Sequence, residues 1–120
     1  MKLICKLCNL DVSKQVIELK DLSLLNKTDG QDLIPEGFYI VADDDDYFTP
    51  QHKGFIIINI KDLINSNYHS DKSRLNGCCG YDGSDGMNRV CLSKHEIGIE
   101  RSDCWMSHFV AVDPESVKFV

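Results

Sequence analysis

The placement of six cysteines constrains this chain more than any other feature. Two of them open the sequence as Cys5-Lys6-Leu7-Cys8, and the others, Cys78, Cys79, Cys91 and Cys104, follow only after a long interval. Two thiolates separated by two residues can grasp one ion from a single turn, which is half of a tetrahedral zinc site. Asn9, the next residue, is of a type that tolerates the left-handed backbone such turns use. Four ligands complete the tetrahedron, so the fold must carry a second thiol-bearing turn back to the first.

The compartment decides whether cysteines mean metal or disulfide. Lys6 and Asn9 interrupt the apolar N-terminal stretch almost at once, so no export signal is expected and the chain reads as cytoplasmic. In a reducing compartment, cysteines point to metal or thiol chemistry before disulfides. The longest apolar run, Phe55-Ile56-Ile57-Ile58, is far short of a bilayer span and reads as a buried strand, so no membrane segment is expected. A length of 120 residues fits a single domain, 1–120. Nineteen acidic against thirteen basic residues give a formal net charge of −6, and the lysines are scattered rather than clustered. Such a surface repels phosphate backbones, so no nucleic-acid partner is expected.

The apolar patterning predicts a mainly β or small α+β fold built on a twisted antiparallel sheet. Phe38-Tyr39-Ile40-Val41 and residues 55–60 are β-branched and aromatic, and the polar loop between them favours an antiparallel hairpin. Its acidic run, Asp43, Asp44, Asp45 and Asp46, reads as a solvated tip. Residues 16–25 read as strand from local alternation, and Asn59 caps one helical turn after Ile60. Residues 66–76 carry no periodic apolar pattern and read as an exposed loop. Four glycines among residues 77–86 exclude regular structure there. Three short strands follow at 89–92, 96–100 and 109–112, and a final one at 117–120, so the C-terminal half reads as a β-meander.

Cys5 and Cys8 therefore supply half of a zinc site. Candidates for the other half are Cys78, Cys79, Cys91, His95, Cys104 and His108, because His52 and His69 lie on loops without neighbouring thiols. Vicinal cysteines rarely both reach one ion, which favours Cys79 with Cys91 from the following strand. The expected ligand set is Cys5, Cys8, Cys79 and Cys91, holding Zn2+ in a zinc-ribbon-like CxxC knuckle. Cys91-x3-His95 is the rival arrangement, since three intervening residues also let a cysteine and a histidine share a metal, and Cys104-x3-His108 offers the same spacing. Cys104, beside Trp105, reads instead as a small buried apolar residue.

Other chemistries carry weaker signals. Asp82-Gly83-Ser84-Asp85-Gly86 lacks the third acidic position and the closing glutamate of an EF-hand, and reads as consecutive turns. A thiol nucleophile would draw on Cys79 or Cys104, His95 or His108 as base, and Asp103 as orienter, but sequence adjacency does not assemble such partners. A redox dithiol at Cys5 and Cys8 would need a helix behind it, and residues 9–13 open one poorly.

The segment 77–91, with Gly77-Cys78-Cys79-Gly80-Tyr81-Asp82-Gly83 at its start, and Glu100-Arg101-Ser102-Asp103-Cys104-Trp105 after it, resemble a group of small uncharacterised bacterial proteins that begin with CxxC. The resemblance implies a bacterial cytosolic protein and carries over no activity; Met87 stands where that group leads one to expect proline. The functional expectation is a binding or adaptor module with a structural zinc and a protein partner. The alternatives are a thiol- or zinc-dependent enzyme and a cysteine-based redox or metal sensor.

Overall fold

The computed structural model describes residues 1–43, 48 and 52–120. Apart from Asp43, the acidic run and Pro50 lie outside them. Nine strands form among the described residues: β1 (Leu3–Cys5), β2 (Ile17–Glu18), β3 (Phe38–Val41), β4 (Ile56–Ile58), β5 (Ser66–Tyr68), β6 (Arg89–Cys91), β7 (Glu96–Arg101), β8 (Phe109–Val112) and β9 (Val117–Phe119). Seven of them make one sheet in the order β2-β3-β4-β8-β7-β6-β5, and β1 and β9 pair separately as a two-stranded ribbon.

The sheet is mixed, which corrects the all-antiparallel expectation. β2 lies parallel to β3, with Ile17 opposite Phe38, and every other pairing is antiparallel. The expected hairpin is present, with Tyr39 opposite Ile58 and Val41 opposite Ile56. Residues 16–25 yield only the two residues of β2 and a 3-10 turn at Leu22–Leu24. A second 3-10 turn at Ile60–Asp62 is capped by Asn59, whose side chain accepts from the Lys61 N–H at 2.8 Å. The polar stretch 66–76 contains β5, an edge strand that pairs through its backbone while leaving Asn67 and Tyr68 exposed.

Alternation divides the core between the two faces of the sheet. Ile56, Ile58, Val110 and Val112 join one cluster, which the β1–β9 ribbon covers with Leu3, Cys5 and Val117. Ile57, Phe109 and Ala111 join the other, under Leu19, Leu33, Ile34 and Phe48. This two-sided burial explains why β4 and β8 are apolar without interruption. In β7 the register slips: Arg89 faces Gly98 but Val90 faces Glu96, leaving Ile97 as an extra residue. Such a bulge redirects side chains, and Ile97 packs on the ribbon-covered face with Cys91 while Ile99 packs on the other.

Candidate metal centre

Two turns of similar construction meet at the rim of the ribbon-covered core. The first follows β1. Its Cys5 carbonyl accepts the Asn9 N–H at 2.8 Å, and Asn9 has the left-handed backbone its residue type suggests, at φ 59°. The Lys6 N–H donates to the Ser116 carbonyl at 3.0 Å, which fastens this turn to the approach of β9. The second turn joins β6 to β7. The Cys91 N–H donates to the His95 carbonyl and the Lys94 N–H to the Cys91 carbonyl, both at 2.9 Å, with Lys94 left-handed at φ 68°.

These turns bring Cys5, Cys8, Cys91 and His95 together, with all four donor atoms within 4.8 Å of one another. Cys8 Sγ lies 3.7 Å from Cys91 Sγ, and His95 Nδ1 lies 3.5 Å from Cys5 Sγ and 3.3 Å from Cys91 Sγ. An ion with bonds of about 2.3 Å to sulfur and 2.0 Å to nitrogen spans edges of about 3.8 Å and 3.5 Å in a tetrahedron. Three of the separations thus lie close to those edges and the others within 4.8 Å, so the group could hold a tetrahedral ion. Cys5 and Cys91 are buried and belong to the core, and Cys8 packs against it half-buried.

The electrostatics divide the CxxC pair. The backbone N–H of Leu10 holds the Cys8 thiol down to about 6, against an opposing effect of burial, with His95, Cys5 and Cys91 also lowering it. Burial pushes the Cys5 thiol up, against the N–H groups of Cys8 and Leu7. Cys8 is thus the readier of the two to present a thiolate.

Of the four ligands expected from sequence, Cys5, Cys8 and Cys91 come together. Cys79 lies elsewhere, and the fourth donor in that group is His95. The glycine-bent segment carrying Cys79 is drawn to the opposite end of the β6–β7 hairpin, where the Ser102 N–H donates to the Tyr81 carbonyl at 2.8 Å and the Tyr81 N–H to Ser102 Oγ at 3.2 Å. There Cys78, Cys79 and Cys104 form a second group, again with sulfurs within 4.8 Å of one another. All three are exposed, so Cys104 is not the buried apolar residue the sequence suggested.

Asp103 organises this second group. It is fully buried, and its carboxylate accepts from the N–H groups of Cys78 at 2.8 Å, Cys79 at 3.0 Å and Cys104 at 2.7 Å and from Trp105 Nε1 at 2.9 Å. The Cys79 and Cys78 N–H groups foremost hold its carboxyl well below the usual carboxylate range. Its hydrogen bond with Cys79 and then burial push the Cys104 thiol up to about 12, and the hydrogen bond with Cys79 also raises Cys78. Those shifts oppose nucleophile activation of these two thiols. Asp103 orients thiol-bearing backbone rather than an imidazole, and His108 Nε2 instead lies 3.0 Å from the Asp103 carbonyl.

The remaining histidines and the Asp82 turn join neither group. His69 Nε2 pairs with Glu96 at 2.9 Å, and the buried His52 ring lies 5.8 Å from that of Phe55. Asp82 accepts the Ser84 N–H at 2.9 Å as a turn cap. No helix among the described residues is long and apolar enough to cross a membrane. Comparison of the chain with family models, with curated proteins and with solved structures finds no match.

Proposed function

We propose that the protein is a small cytoplasmic zinc-binding module in which Cys5, Cys8, Cys91 and His95 hold one structural Zn2+ and the domain acts by binding another protein. The observation that carries this reading is the agreement between three of the donor separations, 3.3–3.7 Å, and the edges of a zinc tetrahedron, with all four donors within 4.8 Å of one another. Three sulfurs and one imidazole nitrogen are a donor set zinc favours, and four protein ligands leave no open position for water or substrate. The arrangement is a zinc-ribbon-like clasp, with CxxC on one turn and Cys-x3-His on the other.

A structural role follows from what the clasp joins. Cys5 ends a strand whose partner, β9, lies at the other end of the chain, and Cys91 and His95 belong to the main sheet. An ion held between them would fasten ribbon to sheet, and structural zinc contributes on the order of 10 kcal/mol in small modules. A protein partner is supported by Ile17, Leu22, Leu24 and Val41, large apolar side chains left exposed around edge strand β2. The net charge of −6 disfavours nucleic acid.

Elemental analysis tests this directly. Protein purified without chelators should carry tightly held zinc that is lost in Cys91→Ser, and removing the metal should unfold the ribbon. Metal-free protein that melts cooperatively at the temperature of untreated protein would overturn the reading. One observation favours a second reading as a redox or metal sensor: Cys8 is only half-buried, so an oxidant could reach the set there. Reversible release of zinc by peroxide would support it, and retention would exclude it.

A further inference from the structure

We infer that Cys78, Cys79 and Cys104 form a second metal site, a three-thiolate cradle for a soft, thiophilic cation of low coordination number, open to solvent on one side. The three sulfurs come from two separate loops and lie within 4.8 Å of one another, with Cys78 Sγ and Cys79 Sγ 3.9 Å apart. Three thiolates in a plane around one ion, with bonds of about 2.3 Å, stand about 4 Å from each other. Small closing movements of exposed side chains would complete that triangle.

The backbone beneath the sulfurs is built to hold them there. Neighbouring residues on an extended strand point to opposite faces, which is why vicinal cysteines rarely share an ion. Here the strand is replaced by a turn that only glycine permits at both flanks. Gly77 has φ 156°, and a Cβ on it would overlap the Gly80 carbonyl, while a Cβ on Gly80 would overlap the Ser102 carbonyl. The buried Asp103 carboxylate then pins both thiol-bearing loops at once, through the N–H groups of Cys78 and Cys79 on one side and Cys104 on the other. A buried carboxylate spent on positioning three exposed thiols is hard to explain by packing, since none of those thiols enters the core.

The donor count sets the chemistry. Among the described residues the group contains three sulfurs and no fourth Cys, His, Asp or Glu donor. Thiolate donors select soft ions, and cuprous copper is satisfied by three of them, whereas zinc would need a fourth ligand from solvent or a partner. As each metal–sulfur bond forms, the thiol releases its proton to solvent, and no electron is transferred. The exposed side makes the ion exchangeable, unlike one enclosed by the clasp.

The test is an anaerobic titration of the zinc-loaded, reduced protein with Cu(I) buffered by a chromogenic cuprous chelator. One Cu(I) per chain should bind with thiolate-to-copper absorption in the near ultraviolet while zinc stays in place, and Cys104→Ser should weaken uptake by on the order of 100-fold or more. The reading is overturned by equal uptake in the Cys78→Ser/Cys79→Ser/Cys104→Ser variant, by copper binding only as zinc is released in equal amount, or by a disulfide among these cysteines in anaerobically purified protein. If the triple variant does not fold, alkylation of the exposed thiols in native zinc-loaded protein replaces it, and copper binding must then disappear. Zinc retention is scored separately, so failure here and failure of the clasp are distinguishable.

Discussion

The two cysteine groups lie at opposite ends of one β-hairpin, and they differ in almost everything except residue type. At the turn between β6 and β7, Cys91 and His95 meet Cys5 and Cys8, with two of the three sulfurs buried in the core. At the open end, Cys78, Cys79 and Cys104 stand exposed on loops held by a buried carboxylate. The first group has four donors and joins segments from both ends of the chain; the second has three and joins neighbouring loops. On the proposed reading, burial and donor count, rather than the presence of cysteine, would separate a fastening from an exchange site.

The comparison breaks most sharply if the clasp proves dispensable. Cys91→Ser removes a sulfur buried in the core and one of the four donors proposed to hold zinc, and is expected to cost at least about 3 kcal/mol in denaturant unfolding, with loss of any bound zinc. Stability near that of the unsubstituted protein would remove the distinction between the two groups. Next in size is Gly80→Ala, because its Cβ would collide with the backbone carbonyl of Ser102. Displacing that loop should cost about 1–3 kcal/mol while leaving zinc content unchanged, which elemental analysis of the folded variant checks.

A smaller effect separates the groups by pH. Hydrogen bonds from the Cys79 and Cys78 N–H groups lower the Asp103 carboxyl in the folded state. A depressed carboxyl stabilises the fold above its unfolded value, about 3.9, and that contribution is lost as pH falls through the folded value. Denaturant midpoints of the unsubstituted protein and Asp103→Asn should therefore run parallel above about pH 5 and converge as pH falls below about 4. Loss of zinc in acid would lower both curves, so the comparison is made only at pH values where both proteins still unfold cooperatively. Curves that stay parallel into acid would show that Asp103 does not organise the open end.

How far this contrast was legible in the sequence depended on where each signal resided. β3, β4 and β8 were marked by β-branched and aromatic runs and β6 and β7 by shorter apolar patterns around Val90, Ile97 and Ile99, because these side chains enter the core. β5 was not, since Ser66, Asn67 and Tyr68 contribute backbone pairing at an edge and little burial. β9 was read as a strand, but the ribbon it forms was hidden: the three residues of β1, which read as the start of a cysteine motif, pair with it from the far end of the chain, and no local pattern reports such a partner. At the clasp, Cys91-x3-His95 carried the spacing of a shared ligand pair. Choosing between His95 and Cys79 required knowing to which end of the hairpin the glycine-rich segment folds, and that is decided by its pairing with Ser102. Exposure of Cys104 was obscured by Trp105, which is itself 56% exposed and bonded to Asp103 through its indole N–H.

The smallest expected effect is the most discriminating. Cys104→Ser retains a small polar side chain at an exposed position, removes nothing from either core cluster, and leaves the backbone N–H that donates to Asp103 in place. What it deletes is a weak S–H partner for Cys79, so the melting temperature should move by less than about 2 °C, with zinc content unchanged. The same sulfur-to-oxygen change at Cys91 should be severe, because there the sulfur is buried and lies 3.7 Å from Cys8 Sγ and 3.3 Å from His95 Nδ1, within the proposed ligand set. A thermal melt of the two variants side by side therefore measures the difference between a thiol buried in the fold and one exposed to solvent. Equal losses would place Cys104 among the structural ligands and close the distinction on which the exchangeable site depends.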